Sequence, residues 1–330
     1  MVKLIREEQF EKMMRTVVEP GLAAMREEID MPLSGGGVLH AEVYNRLDAR
    51  QGIVLLHGYT ESAEKFREMA WYFVHAGYSV FTYDHRGHGR SVRAVDDTSI
   101  THVEHFDDYV RDLEEFMEKV VEPRMRGGRL CLYAHSMGGA VGAMALMRHP
   151  VWFDRAVLTA PMIAPSSAPY PRFVGEAIAW VMCALGKGKE RAFIGKPFDP
   201  ERETFELSCS TGRARFEYYQ KKRVSQKHLQ NCAPTYRWVK EAVGVTRTLL
   251  KKENNLRIKT PVLLCQAGLD NIVCLPEQRR FVEQTPGATL RIFETAKHEI
   301  YNSDDAVMSE YVPAVIGFLN GENDAPQTDT

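Results

Sequence analysis

A serine hydroxyl attacks an ester only if a base takes its proton and an acid orients that base. The chain holds a place where this could happen. Leu132-Tyr133-Ala134-His135-Ser136-Met137-Gly138-Gly139 runs an apolar strand-like stretch into a helix of small residues, with Ser136 at the junction. A sharp strand-to-helix turn of this kind exposes the serine at the carboxyl end of a sheet, and Gly138 removes a Cβ that would hold helix and strand apart. The helix N-terminus adds positive potential. Ala134 stands where the usual G-x-S-x-G pattern has its first glycine; alanine is the smallest substitute. The competing reading of Ser136 is a plain helix N-cap.

Eleven histidines compete for the base. On sheets that carry such an elbow the chain order is serine, acid, histidine, which leaves His228 and His298. His228 lies in a basic stretch, whereas His298 follows the last apolar run in Thr295-Ala296-Lys297-His298-Glu299 and is the expected base. Asp270, closing Gln266-Ala267-Gly268-Leu269-Asp270 after another apolar run, is the expected acid. Glu277 follows Pro276 at a helix start, and Asp304 and Asp305 come after the histidine. Two backbone N–H groups must hold the oxyanion, and Met137 and Tyr59, in His57-Gly58-Tyr59-Thr60-Glu61, are the expected donors. The side chain at 59 is expected to matter little. No metal or organic cofactor is required by this chemistry.

Glycine-rich Asp84-His85-Arg86-Gly87-His88-Gly89-Arg90-Ser91 lacks the remaining residues of a dinucleotide or Walker motif, so a structural loop with Asp84 and Arg86 paired to neighbours is expected.

These residues need elements to hold them. Short apolar runs at Ile53–His57, Tyr78–Asp84, Leu130–Ala134, Ala156–Thr159, Val262–Ala267 and Leu290–Glu294 barely alternate, as strands buried on both faces do. Helix-like stretches at 64–75, 103–121, 138–148, 276–283 and 304–319 separate them, predicting a doubly wound, mostly parallel α/β sheet. Residues 27–33 and 38–47 flank Ser34-Gly35-Gly36-Gly37 and predict an antiparallel pair at one edge. The first 25 residues read as a helix whose rough stripe of Leu4, Ile5, Phe10, Met13, Met14 and Val17 is expected to pack on the body or on a partner, in preference to a membrane.

The alternation stops after Pro161 and resumes at Val262. Residues 161–251 carry 16 Lys+Arg against 8 Asp+Glu, in a chain whose net charge is only -2. That asymmetry marks a largely helical insertion after the sixth strand, a candidate lid. The expected division is a core over 1–160 and 252–320, a cap over 161–251, and a disordered tail over 321–330.

Composition narrows the classes further. With 330 residues, 44% hydrophobic and 26% charged, the chain can bury a core without staples and has no global basic field for nucleic acid. Six cysteines without a C-x-x-C pair argue against a zinc ribbon and for free thiols in a reducing compartment. No run of about 18 uncharged apolar residues occurs, so a cytoplasmic protein, at most peripheral to the inner face of the membrane, is expected.

Taken together, His57-Gly58, Asp84–Ser91, Ala134–Gly139, Thr159-Ala160-Pro161-Met162, Pro234–Val239 and Lys297–Ile300 resemble the lysophospholipase and monoacylglycerol lipase family of serine α/β hydrolases, over about residues 38–319. The resemblance implies the α/β-hydrolase fold and hydrolysis of single-chain lipid esters beneath a mobile cap. An acyl groove is then expected along Met162, Phe173, Ile178, Val181 and Leu185, with Phe193 and Phe198. Lys221-Lys222-Arg223 is expected either to meet anionic headgroups or to be a solvated helix face. A proline-iminopeptidase-like exopeptidase or a general carboxylesterase would use the same triad, and a non-catalytic binding protein the same scaffold. Ser136 at the elbow excludes dehalogenase and epoxide hydrolase chemistry, which needs an aspartate there.

Overall fold

A computed structural model describes residues 2–46, 49–125, 127–166 and 171–322. Most of the tail expected to be disordered, residues 323–330, lies outside them. Eight strands form one sheet: β1 (Arg26–Pro32), β2 (Val38–Tyr44), β3 (Gln51–Leu56), β4 (Tyr78–Tyr83), β5 (Arg129–His135), β6 (Arg155–Thr159), β7 (Val262–Ala267) and β8 (Ala288–Phe293). Their spatial order is β1-β2-β4-β3-β5-β6-β7-β8. β1 and β2 pair antiparallel, as do β2 and β4, and every other neighbouring pair is parallel. β3 and β5 sit mid-sheet, covered on both faces, which is why Ile53–Leu56 and Leu130–His135 are buried without alternation.

The longer helices are α1 (Arg67–His75), α2 (Asp107–Phe116), α3 (Met137–Arg148), α4 (Arg172–Ala184), α5 (Arg213–Ser225), α6 (Tyr236–Leu249), α7 (Leu275–Gln284) and α8 (Asp305–Asn320). Two apolar clusters, one on each sheet face, enclose it. One gathers α2, α3 and α6 around Leu56, Phe81 and Leu132; the other gathers α1 and α8 around Leu55, Tyr133 and Cys265. The chain between β6 and β7 carries α4, α5 and α6, and a two-residue strand, Ala233–Pro234, pairs with Ile100–Thr101 of the core.

Helical turns run from Glu7 to Ala23, and Ile5, Phe10, Met14, Val18 and Leu22 pack into the second cluster. Packing on the body matches the expectation, and of the expected stripe Leu4, Ile5, Phe10, Met13 and Met14 pack there while Val17 does not. The i, i+4 spacing is kept through a wide π turn at Met14–Val18, which buries Val18 and leaves Val17 exposed.

The charge asymmetry also takes a specific form. Arg172, Arg191, Arg215, Lys221 and Lys222 of the insertion pair with Glu277, Asp97, Glu68, Glu11 and Glu19, all outside it. Arg223 pairs with Glu203 inside the insertion. Lys221-Lys222-Arg223 is therefore not a free cationic face, nor a merely solvated one, because the acidic core faces it.

Candidate active site

Ser136 joins β5 to α3 with φ 52° and ψ -116°, a strained left-handed position for a residue with a side chain. The strain is held from both sides: Ser136 N–H donates to the Thr159 carbonyl at 3.1 Å, and Met162 N–H donates to the Ser136 carbonyl at 2.8 Å. A Cβ at Gly138 would lie 2.5 Å from the His57 carbonyl oxygen, so only glycine lets α3 approach the end of β3 this closely. Ala134 is accommodated because the helix carries Gly142 opposite it, where a Cβ would come within 3.2 Å of the alanine methyl.

The three residues expected to cooperate meet at the carboxyl rim. His298 Nε2 lies 2.8 Å from Ser136 Oγ, and His298 Nδ1 lies 2.6 Å from Asp270 Oδ2. Asp270 Oδ1 accepts the N–H groups of Ile272 and Val273 at 2.8 and 3.2 Å, which fixes the carboxylate. The Asp270 side chain is fully buried and that of His298 nearly so. Gly268 makes the approach of the two loops possible: a Cβ there would fall 2.3 Å from the Glu294 carbonyl oxygen. The acids set aside are occupied elsewhere, Asp304 capping α8 and Glu277 paired with Arg172.

Met137 N–H, at the first position of α3, precedes any intrahelical acceptor. Tyr59 sits across the rim, but its side chain is not idle: the ring packs on Trp238 at 4.2 Å between centroids. Trp238 Nε1 in turn donates to Tyr109 Oη at 3.2 Å, so α6 and α2 together brace this loop.

A cavity of about 480 Å³ opens on Ser136 and His298. Its walls include Lys65, Phe216, Tyr219, Gln220, Arg223 and Ile272. Phe173, Ile178, Val181, Leu185 and Met162, the expected groove residues, are not among them. Met162 is buried in the first apolar cluster. Helix α4 packs along α6, and its Phe173 and Val181 border a separate cavity of about 710 Å³ with Trp180 and Met144. Its apolar run was legible, but its rotation about its own axis is set by α6. The cavity wall at Ser136 comes instead from α5, whose sequence is polar overall.

Sequence reasoning also passed over Glu61, although it stood in the His57–Glu61 stretch. Glu61 Oε2 accepts Gly58 N–H at 2.7 Å, and Oε1 accepts Lys65 Nζ at 2.9 Å and the Tyr301 hydroxyl. Burial pushes its carboxyl up, but Lys65 and His135 beside it hold it well below the usual range. Lys65 also reaches Glu299 at 2.6 Å. One buried ion network thus ties the loop of Tyr59 to the loop of His298. The Asp84–Ser91 loop is structural: Asp84 accepts the N–H groups of Ala63 and Arg90, and Arg86 pairs with Asp112.

Four histidines around this rim are buried, and burial lowers each pKa: His57, His85, His88, and His135, pushed down to about 4. His85 has both ring nitrogens without a hydrogen-bond partner. Unfolded imidazoles take up protons as pH falls through about 6.5, whereas these stay neutral, so the protein loses stability on that descent. For His135 alone the loss amounts to about 3 kcal/mol by pH 4. Urea unfolding at pH 7 and at pH 5.5, above most carboxylate titration, is expected to show stability lower at the second by about 1 kcal/mol in total for His135, because the unfolded imidazole is only partly protonated over that range. A flat profile there would contradict it.

Among the described residues, one group could approach a metal: Glu28, His40 and Glu42, on the β1–β2 edge. Its members are already engaged, Glu42 by Arg26 and Arg67, His40 by Asp30, and Glu28 by Arg90.

The model for the family described as serine aminopeptidase, S33, matches residues 48–305. Lysophospholipase L2 of Escherichia coli K12 is 32% identical over 287 residues, covering 82% of this chain and 81% of that protein. The probable lysophospholipase L2 of Haemophilus influenzae is 28% identical over 271 residues, covering 82% and 84%. In fold, a soluble variant of monoglyceride lipase from Saccharomyces cerevisiae superposes with a TM-score of 0.72 at 19% identity, over 91% of this chain and 97% of that one. With its elbow, its parallel sheet and these relatives, the chain belongs to the lysophospholipase and monoacylglycerol lipase family of serine α/β hydrolases, within the group described as serine aminopeptidase, S33.

Proposed function

We propose that the protein is a carboxylic ester hydrolase that cleaves the acyl ester of a lysophospholipid or a monoacylglycerol through an acyl-enzyme. The observation that carries this reading is the unbroken hydrogen-bonded chain from Ser136 Oγ through His298 to Asp270. His298 Nε2 takes the serine proton as Oγ attacks the acyl carbon, and the amides of Met137 and Tyr59 receive the oxyanion. The protonated imidazole then gives its proton to the leaving alcohol. Water, giving a proton to the same nitrogen, attacks the acyl carbon, and the imidazolium returns that proton to Ser136 Oγ as the fatty acid leaves. Asp270 keeps Nδ1 protonated, so that Nε2 is free to accept at the start of each half.

Residues 161–251 serve as the cap over this site. Phe173, Trp180 and Leu185 of the cap are 60% or more exposed, and this apolar face, rather than the paired lysine run, is the part suited to touch a membrane surface. No helix among the described residues is long and apolar enough to cross one. A cytoplasmic protein, peripheral to the inner face of the membrane, is the setting this reading favours. The aminopeptidase reading needs a carboxylate to hold a substrate's free amine. The glutamates that line the cavity are engaged, Glu61 and Glu299 by Lys65 and Glu203 by Arg223.

The test is a lipid panel on purified protein: lysophosphatidylcholine, lysophosphatidylethanolamine, and 1- and 2-monoacylglycerols, with an aminoacyl amide as the competitor and peptide mapping of the trapped acyl group. Ester cleavage with the acyl group on Ser136 is expected, and salt at about 0.5 M is expected to change headgroup preference by less than about twofold, because the Lys221-Lys222-Arg223 run is paired. Faster cleavage of the amide than of every ester, or an acyl group mapped elsewhere, would refute the proposal.

A further inference from the structure

Helix α5 stands between two different neighbours. Phe216, Tyr219, Gln220 and Arg223 face the cavity that opens on Ser136. The other side of the helix meets the segment before β1, which lies outside the 48–305 match.

That second contact is built as a clasp. Ile5 N–H donates to Tyr72 Oη at 2.9 Å, the Tyr72 hydroxyl donates to Glu68 at 2.7 Å, Glu68 accepts Arg215 Nη2 at 2.8 Å, and Arg215 Nη2 donates back to the Ile5 carbonyl at 2.8 Å. The Arg215 side chain is fully buried, and its Nη1 donates to the Ser303 carbonyl, five residues beyond His298. Gly212 occupies the N-cap of α5 and has no side chain to meet the helix's first N–H groups. Glu7 supplies the missing acceptor from outside, taking Ala214 N–H at 3.0 Å. Phe10 packs edge-on against Tyr218 at 5.8 Å, and Lys221 pairs with Glu11.

We infer that residues 5–22 are a positioning strap: by fixing α5 from behind, they set the width of the acyl cavity and so the enzyme's acceptance of long acyl chains. The inference rests on the reading of that cavity as the acyl site. The strap touches no reacting atom. An acetyl group occupies only the space next to Ser136, whereas a long chain must lie along Phe216 and Tyr219, so loosening α5 penalises the long chain selectively.

The experiment compares wild type, Glu7→Ala and Glu7→Ala/Phe10→Ala on p-nitrophenyl acetate and dodecanoate, with hydrogen exchange over 213–225. For the double variant, kcat/KM on dodecanoate is expected to fall about tenfold, through KM, while acetate stays within about twofold and exchange in 213–225 rises. Glu7→Ala alone, which removes the acceptor of Ala214 N–H, is expected to shift the ester ratio about threefold in the same direction, which keeps the inference testable if the double variant does not fold. An unmoved ester ratio, or an equal fall on both esters, overturns it. Wild-type protein that does not acylate Ser136 overturns the functional reading and this one together; acylation with an unmoved ratio overturns this one alone.

Discussion

Ser136→Ala lowers turnover of a lipid ester by about 10⁴- to 10⁶-fold, the scale on which a triad nucleophile acts. No neighbouring hydroxyl can replace it, because the elbow at φ 52° places one side chain alone against His298 Nε2. Alanine adopts the same backbone with the same strain, and among the described residues the serine makes one side-chain hydrogen bond, to the histidine. Thermal unfolding should therefore move by no more than a few degrees. Steady-state hydrolysis alongside a thermal melt reads both. A variant that keeps more than about a tenth of wild-type turnover would show that Ser136 is not the nucleophile.

Asp270→Asn should be nearly as damaging, with a loss of about 10⁴-fold in kcat, and for a subtler reason. The two backbone N–H groups of Ile272 and Val273 point at Oδ1, so an amide at 270 would place its oxygen there and turn its NH₂ toward His298. Nδ1 would then have to accept, the ring proton would move to Nε2, and the imidazole could no longer take the serine's proton. The overall structure would survive. Turnover of an activated ester measures the loss, and a fall below about tenfold would mean that Asp270 does not set the tautomer.

Much of this centre could be read from the chain because its signals are local. An apolar run ending in a serine followed by glycines specifies a strand, a sharp turn and a helix without reference to the rest of the molecule. Asp270 and His298 announced themselves the same way, each a few residues beyond a strand, the first buried and the second at the sheet edge with only Phe293 buried, and the parallel sheet then had to bring both to the rim that holds Ser136. Even Ala134 is compensated locally, by Gly142 two helical turns along.

The residues expected along an acyl groove do not line the cavity at Ser136, for the opposite reason. The apolar residues of α4 show that one of its faces is covered, but not by what, and packing along α6 turns Phe173 and Val181 away from Ser136. Glu61 has Lys65 four residues on, but its other partners, Tyr301 and His135, converge on it only after folding.

The order of residues along the chain was thus enough to anticipate the sheet, the elbow and the meeting of Ser136, Asp270 and His298 at one rim, because the strand, turn and loop that carry each follow from hydrogen bonding and packing within a few neighbouring residues. Which surface of each helix looks into the cavity, and which carboxylate meets which cation, was decided only in three dimensions. Side-chain direction and ion pairing depend on contacts between segments as distant as Ile5 and Arg215, and no local pattern encodes them.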